Sequence, residues 1–237
     1  MTNILRNGSF ENGWTDYNES IQIPNDWDAR WADADTPNPY SSDPWNEFVA
    51  PEIVHKLRHQ LPEDEQDLFI LDGDTTLKIF KGYGAFCAEL TQPLHLEPGM
   101  YTFTVRVFGD LVAYYDNGRK YWAADPNSGL LRFVLNGHAY EDTHSITPAM
   151  WNLYSLEFAA DGDTSIGVQV MFPFALANSG IFVDAWSLRK VTGPPEGECR
   201  GHPREEYART YHVLPRDATW PQASAVFKAE GFQNART

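Results

Sequence analysis

Cysteine is nearly missing, with 2 in 237 residues: Cys87 lies inside a strand-like run and Cys199 in a Pro/Gly-rich segment. Two such residues form neither a disulfide framework nor a metal-ligand spacing, so they decide neither compartment nor chemistry. Basic residues are also scarce. Against 33 Asp and Glu stand 18 Lys and Arg, a net charge of −15 with a pI near 4.7. A partner held through phosphates needs a basic patch, so this balance argues against nucleic acid. Long apolar runs are absent too: nothing approaches the roughly 18 to 20 residues of a membrane helix, and the N-terminus lacks the basic-then-apolar order of an export signal. A soluble chain is expected, with any export signal absent from it. Gly-rich phosphate loops, a serine nucleophile elbow and paired cysteines do not occur either.

Apolar and aromatic residues are plentiful. Hydrophobic residues make up 42% of the chain, enough for a full core, and it carries 8 Trp, 11 Tyr and 14 Phe. Alternating apolar and polar positions, the mark of half-buried strands, recur in "TLKIF" (76–80), "YTFTVRVFG" (101–109), "LLRFVLNG" (130–137), "LYSLEFAA" (153–160), "SIGVQVMF" (165–172) and "IFVDAWSLRKV" (181–191). Turn signals lie between them: Glu97-Pro98-Gly99, Asp116-Asn117-Gly118, Asn136-Gly137 and Asp161-Gly162-Asp163. Many short strands joined by hairpin turns predict an all-β fold, an antiparallel β-sandwich over residues 1–191.

Two segments break the rhythm. Residues 28–70 form a long, polar, Pro-rich insertion with the helix-compatible stretch "PEIVHKLRHQLPEDEQDLF". A loop of that size is functional or disordered, and its tryptophans favour order. Residues 192–203 read as a linker by composition. The remaining residues, 204–237, carry a strand-like "YARTYHVLP" and a helix-like "WPQASAVFKAEGF". They are too few for their own core, and so form an appendage or the start of a further domain.

"NILRNGSFENGW", "IPNDWDARW", "DGDTTLKIF", "LEPGMYTFTVRV" and "IFVDAWSLRKV" follow one another along residues 3–191. Their order resembles the jelly-roll carbohydrate-binding modules of the family four, nine, sixteen and twenty-two type, here with an uncommon long insertion. The resemblance implies a non-catalytic, extracellular or cell-surface bacterial module that holds a polysaccharide or oligosaccharide by aromatic stacking and hydrogen bonds, often alongside further domains. It also implies first and last strands lying side by side with a structural calcium between them, liganded by Glu11, Asp184 and main-chain oxygen near Ser9. Calcium takes six to eight oxygens at ~2.3–2.6 Å, and carboxylates and carbonyls supply them. The other reading pairs Asp184 with an arginine or with backbone amides.

Sugar rings stack on aromatic faces while polar side chains take the hydroxyls. Candidates are therefore aromatics outside the strand patterns: Trp31 and Trp45 in the insertion, Tyr83 between glycines, and Tyr115 and Trp122 in a polar stretch that also holds Tyr114 and Tyr121. Arg119, Asp116 and Asn127 are the polar candidates. Trp27, Trp151 and Trp186 are expected in the core, and Trp14 at the sandwich end. Asp72 and Asp74 fall on one side of a strand, as the paired carboxylates of a glycoside hydrolase would. With 33 acidic residues such a pair arises by chance. His55 and His59 have the i, i+4 spacing of metal ligands on a helix but lack a partnering glutamate motif. The alternatives are a glycoside hydrolase or polysaccharide lyase on the same sandwich, and an adhesion domain with no sugar site.

Overall fold

Among the described residues, β-branched and aromatic residues at every second position build 14 strands and leave room for one short α-helix and two 3-10 turns. The computed structural model describes residues 2–191 and 209–211. The strands are β1 Trp14–Asn18, β2 Ile21–Pro24, β3 Asp28–Trp31, β4 Glu52–Leu57, β5 Thr75–Lys81, β6 Phe86–Gly109, β7 Val112–Asp116, β8 Arg119–Trp122, β9 Leu130–Leu135, β10 His138–Ala139, β11 His144–Ser145, β12 Trp151–Phe172, β13 Ser179–Lys190 and β14 Arg209–Tyr211. The helix α1 is Glu63–Phe69. No described helix is long and apolar enough to cross a membrane.

Strands β6 and β12 run antiparallel to each other from Trp151↔Phe108 to Phe172↔Phe86 and bend together, so each serves both layers of a jelly-roll sandwich. The C-terminal half of β6 sits beside β13, which continues through β5, β4, β2 and β1. The N-terminal half pairs with β3, and the facing half of β12 continues into β9, β10 and β11. All of these ladders are antiparallel except the single β2–β4 bridge, Ile21↔Ile53. Rings close the space between layers, as where Phe103 of β6 meets Phe133 of β9 edge to face at 5.7 Å.

Two of the expected turns are corners. Glu97-Pro98-Gly99 and Asp161-Gly162-Asp163 lie inside β6 and β12, where Gly99 faces Ala160, Leu96 faces Gly162 and the register shifts. Glu97 and Pro98 of β6 oppose the single Asp161 of β12, so β6 bulges there, and Gly162 takes φ +94° as the pair turns from one layer into the other. The chain bends there without reversing. The expected "LYSLEFAA" and "SIGVQVMF" strands are therefore one strand.

The insertion is ordered, and it is not the long helix its spacing suggested. Residues 52–57 form β4 on the edge of β5, and only 63–69 are helical. Phe69 stacks on Phe182 at 3.9 Å and meets Phe108 edge to face, while the Trp151 indole N–H donates to Leu68 O at 2.8 Å. The insertion thus covers the outer side of β13, β6 and β12 with a second small core. His55 and His59 do not share a helix face. His55 is buried on β4 with Trp14 stacked over it at 4.3 Å, and His59 sits in a short exposed turn.

The N-terminal segment meets β13. Main-chain bonds run from Ile4 N to Leu188 O at 2.9 Å and from Trp186 N to Gly8 O at 2.8 Å, and Asn3 Oδ1 accepts from Leu188 N at 2.9 Å. Phe10 is fully buried against Trp27 and Trp186, with the Trp27 indole donating to Asn7 O. These are the expected core tryptophans. β14 pairs with β12 from Ser155↔Tyr211 to Glu157↔Arg209. The expected linker, the tail helix and Cys199 lie outside the described residues.

Candidate functional site

The hairpin β7–β8 is the most aromatic exposed element. Asn117 and Gly118 take φ +48° and +79°, the left-handed pair that a two-residue hairpin turn demands and that Asn and Gly adopt at least cost. Alternation then sorts the side chains into two faces. On one face Tyr114 and Tyr121 lie opposite each other with rings parallel at 4.5 Å, and the Arg119 guanidinium sits 5.5 Å over Tyr121. On the other are Tyr115 and its partner Lys120, whose ammonium lies 5.6 Å over the Trp122 ring.

That second face is tied down by charge. Lys120 Nζ is 3.3 Å from Asp110 Oδ1 and 3.8 Å from Glu65 of α1, and Lys78 Nζ is 3.0 Å from Asp110 Oδ2. Asp110 is only 2% exposed and also accepts from Asn178 Nδ2 at 3.1 Å. Burial, then the Asp110 charge, raise the Tyr115 hydroxyl pKa, with Tyr83 and Glu65 adding to the effect, so Tyr115 is electrostatically coupled to all three. It therefore stays a neutral hydroxyl, able both to donate and to accept.

A six-residue strap, residues 173–178, stitches three aromatic loops side by side. Ala175 N donates to Asn46 Oδ1 at 2.8 Å, next to Trp45. Tyr83 N donates to Leu176 O at 2.9 Å, and Asn178 and Val112 exchange two main-chain bonds that hold β7. The strap thereby makes neighbours of the loops that carry Trp45 and Tyr83 and of the hairpin face that carries Tyr115 and Trp122, while Arg119 lies on the opposite face of that hairpin with Tyr114 and Tyr121. Trp45 and Tyr83 are 84% and 79% exposed, too open to serve the core. Trp31 is not brought beside these loops. Its strand β3 pairs with β6, and its half-buried ring packs on the main core and against Tyr17. Asp116 is at the hairpin tip, bonded by Asn117 Nδ2, and Asn127 sits in the next turn.

The second expected site lies where the N-terminal segment meets β13. Asp184 is fully buried; its Oδ2 accepts from Leu71 N at 2.6 Å and Asp72 N at 3.0 Å, and its Oδ1 from Ala185 N at 2.6 Å. Burial pushes its carboxyl up to about 7, and the three amides pull the other way. All three partners are donors, a shell that matches the ionised form. Glu11 Oε1 accepts from Asp74 N at 2.9 Å and Thr75 N at 2.6 Å. Ser9 lines a polar cavity with Asp72, Arg106 and Arg189. Among the described residues no group of three or more His, Cys, Asp and Glu side chains is gathered to hold a metal. A calcium shell needs six to eight oxygens, whereas here three of the four carboxylate oxygens of Glu11 and Asp184 are faced by N–H groups. This donor set does not fit calcium. Asp72 and Asp74 diverge as well, Asp72 lining the cavity and Asp74 paired with Arg58 at 3.1 Å.

Sequence reasoning missed Lys78, Asp110, Asn178 of the strap and Asn46, which accepts from it. The signal at Asp110 was a carboxylate set in the apolar run "FGDLV", where only a buried partner would hold it.

No protein-family model matches this chain, and no curated protein matches it in sequence. Solved structures similar to it include a family 61 carbohydrate-binding module in complex with β-1,4-galactotriose, at 14% identity and TM-score 0.47, covering 81% of this chain and 100% of that one. A cyclase from Fischerella sp. has the same identity and TM-score, covering 81% and 97%. A xylan-binding family 22 domain from Paenibacillus barcinonensis follows at 14% identity and TM-score 0.40, covering 78% and 93%.

Proposed function

We propose that this chain is a carbohydrate-binding module that holds a polysaccharide or oligosaccharide on the rim formed by Trp45, Tyr83, Tyr115 and Trp122. The observation that carries this reading is the strap 173–178, which sets three loops of exposed rings beside one another while the core is filled by other aromatics. Pyranose C–H faces stack on such rings, and the Tyr115 hydroxyl supplies a hydrogen bond on the hairpin face that carries Trp122. Each stacked ring contributes about 1 kcal/mol beyond its buried area. The role is attachment, at a cell surface or outside the cell.

Affinity electrophoresis against glucans, xylans, mannans, galactans and peptidoglycan tests it. The chain should be retarded on at least one polymer, and Trp122→Ala and Tyr115→Ala should abolish retardation at unchanged Tm. Absence of retardation on every polymer refutes the reading in favour of an adhesion domain. Release of reducing ends from a retained polymer replaces it with a hydrolase.

A further inference from the structure

Asp184 is fully buried and Asp72 lines the cavity beside the loop that Asp184 holds, and water alone does not neutralise a charge buried there. The chain supplies its own cation there. Arg106 of β6 is the cross-strand partner of Asp184 of β13, just before the register of β13 shifts. Its Nη1 donates to Ala185 O at 2.6 Å, at the one residue of that strand with positive φ, +52°. The guanidinium is attracted by Asp184 and Asp72, while burial and Arg189 oppose its charge. A guanidinium is always charged and offers five donors in a fixed fork, so it can bond a carbonyl and still neutralise a carboxylate beside it.

A calcium ion entering this cavity of about 550 Å³ would meet the guanidinium groups of Arg106 and Arg189, both of which present positive charge to it. The carboxylates of Glu11 and Asp184 already take the amides of residues 71, 72, 74, 75 and 185. Gly73 presses the loop onto Glu11 as well: a Cβ there would lie 2.4 Å from Glu11 Oε1, which leaves no space for a coordinated ion between them. We propose that Arg106 stands where a structural cation would stand, so that the guanidinium and five main-chain amides clasp the first and last strands and the fold needs no calcium. The inference is independent of the sugar-binding reading.

Thermal unfolding of the full chain in millimolar calcium and in excess chelator should give one Tm. A Tm that rises with calcium and drops in chelator overturns the proposal. The pairing is read by a double-mutant cycle. Arg106→Met should lower Tm, and the loss should shrink to about half in an Asp184→Asn background; equal losses in both backgrounds overturn Arg106 as the counter-charge. If either variant fails to fold, calorimetric titration of calcium into the wild-type chain decides alone. No saturable heat supports the inference, and a saturable isotherm sinks it.

Discussion

Glu11 and Asp184 grip opposite ends of one loop: Asp184 takes the amides of Leu71 and Asp72, and Glu11 those of Asp74 and Thr75. One carboxylate precedes β1 and the other sits in β13, so the loop between α1 and β5 is fastened to both the N-terminal segment and β13. The two grips differ in environment, because Glu11 is exposed and Asp184 is not. Removing Glu11 lets water reach the freed amides. Removing Asp184 strands three amides in the interior, each costing about 1–3 kcal/mol. Glu11→Ala should therefore cost about 1 kcal/mol and Asp184→Ala at least about 3 kcal/mol. At ~2–4 °C per kcal/mol for a domain of this size, calorimetry resolves the two, and equal Tm losses would contradict the geometry.

The insertion should behave as a stability element. Phe69 stacks on Phe182 and meets Phe108, and the other buried members of that cluster are Leu61, Ile70 and Trp151. Phe69→Ala removes the ring that joins α1 to the sheet, and a buried Phe→Ala change costs about 3–5 kcal/mol. The Trp151 fluorescence should shift to the red as water reaches its indole. A Tm within 2 °C of wild type would mean that α1 is an ornament.

Turn residues were legible where a turn is a local event. Asn117-Gly118 and Asn136-Gly137 make hairpins because their left-handed φ values alone reverse the chain. Glu97-Pro98-Gly99 and Asp161-Gly162-Asp163 carry the same residue types but stay in strand, because the β6–β12 ladder pairs both flanks and turns the signal into a bend. His55 and His59 show the same override, where pairing of β4 with β5 defeats an apparent helical spacing. In the site, exposed rings could be picked from polar loops, but their grouping could not. The strap joins Asn46 to Ala175 and Tyr83 to Leu176, contacts far apart in sequence. Trp31 misled because its polar neighbours hide a ladder with β6. The partners of Arg106 and Asp110 were illegible for a similar reason, since they lie on other strands or on the strap.

The charge cluster beneath the hairpin predicts an asymmetry. Lys120 is about one-third exposed, and losing it leaves Asp110 paired with Lys78 and Asn178. Lys120→Met should cost about 1 kcal/mol or less, because its ammonium was largely solvated already. Losing the Asp110 carboxylate instead strands Lys78, whose side chain is mostly buried. Asp110→Ala should cost about 3–5 kcal/mol, as when one partner of a buried pair is removed. Urea unfolding of both variants checks the order, and a Lys120→Met loss equal to that of Asp110→Ala would show the hairpin, not Lys78, to be what Asp110 sustains.

His55 predicts the acid limb of stability. Both of its ring nitrogens are buried with no hydrogen-bond partner, and the Trp14 ring covers it. Burial lowers its pKa from 6.5 to about 4, against the weaker pull of Asp16. The folded chain thus keeps His55 neutral where the unfolded chain protonates it. Its contribution is fully present above pH 6.5 and is lost as pH falls towards 4, and the gap is worth about 3 kcal/mol at 1.36 kcal/mol per pH unit. Asp184 works in the opposite sense. Its folded pKa is raised from 3.8 to about 7, so its contribution is present below pH 3.8 and is lost as pH rises through 7. Over pH 4 to 6.5 the two slopes offset, and the wild-type Tm should vary little from this pair. His55→Phe keeps a ring under Trp14 and removes the titration, so its Tm should fall from pH 4 to 6.5 along the Asp184 slope alone. At pH 7 it should be at least as stable as wild type, because two orphaned nitrogens are gone. Parallel Tm profiles for the two proteins across that window would show that His55 is protonated in the folded chain as readily as in the unfolded one.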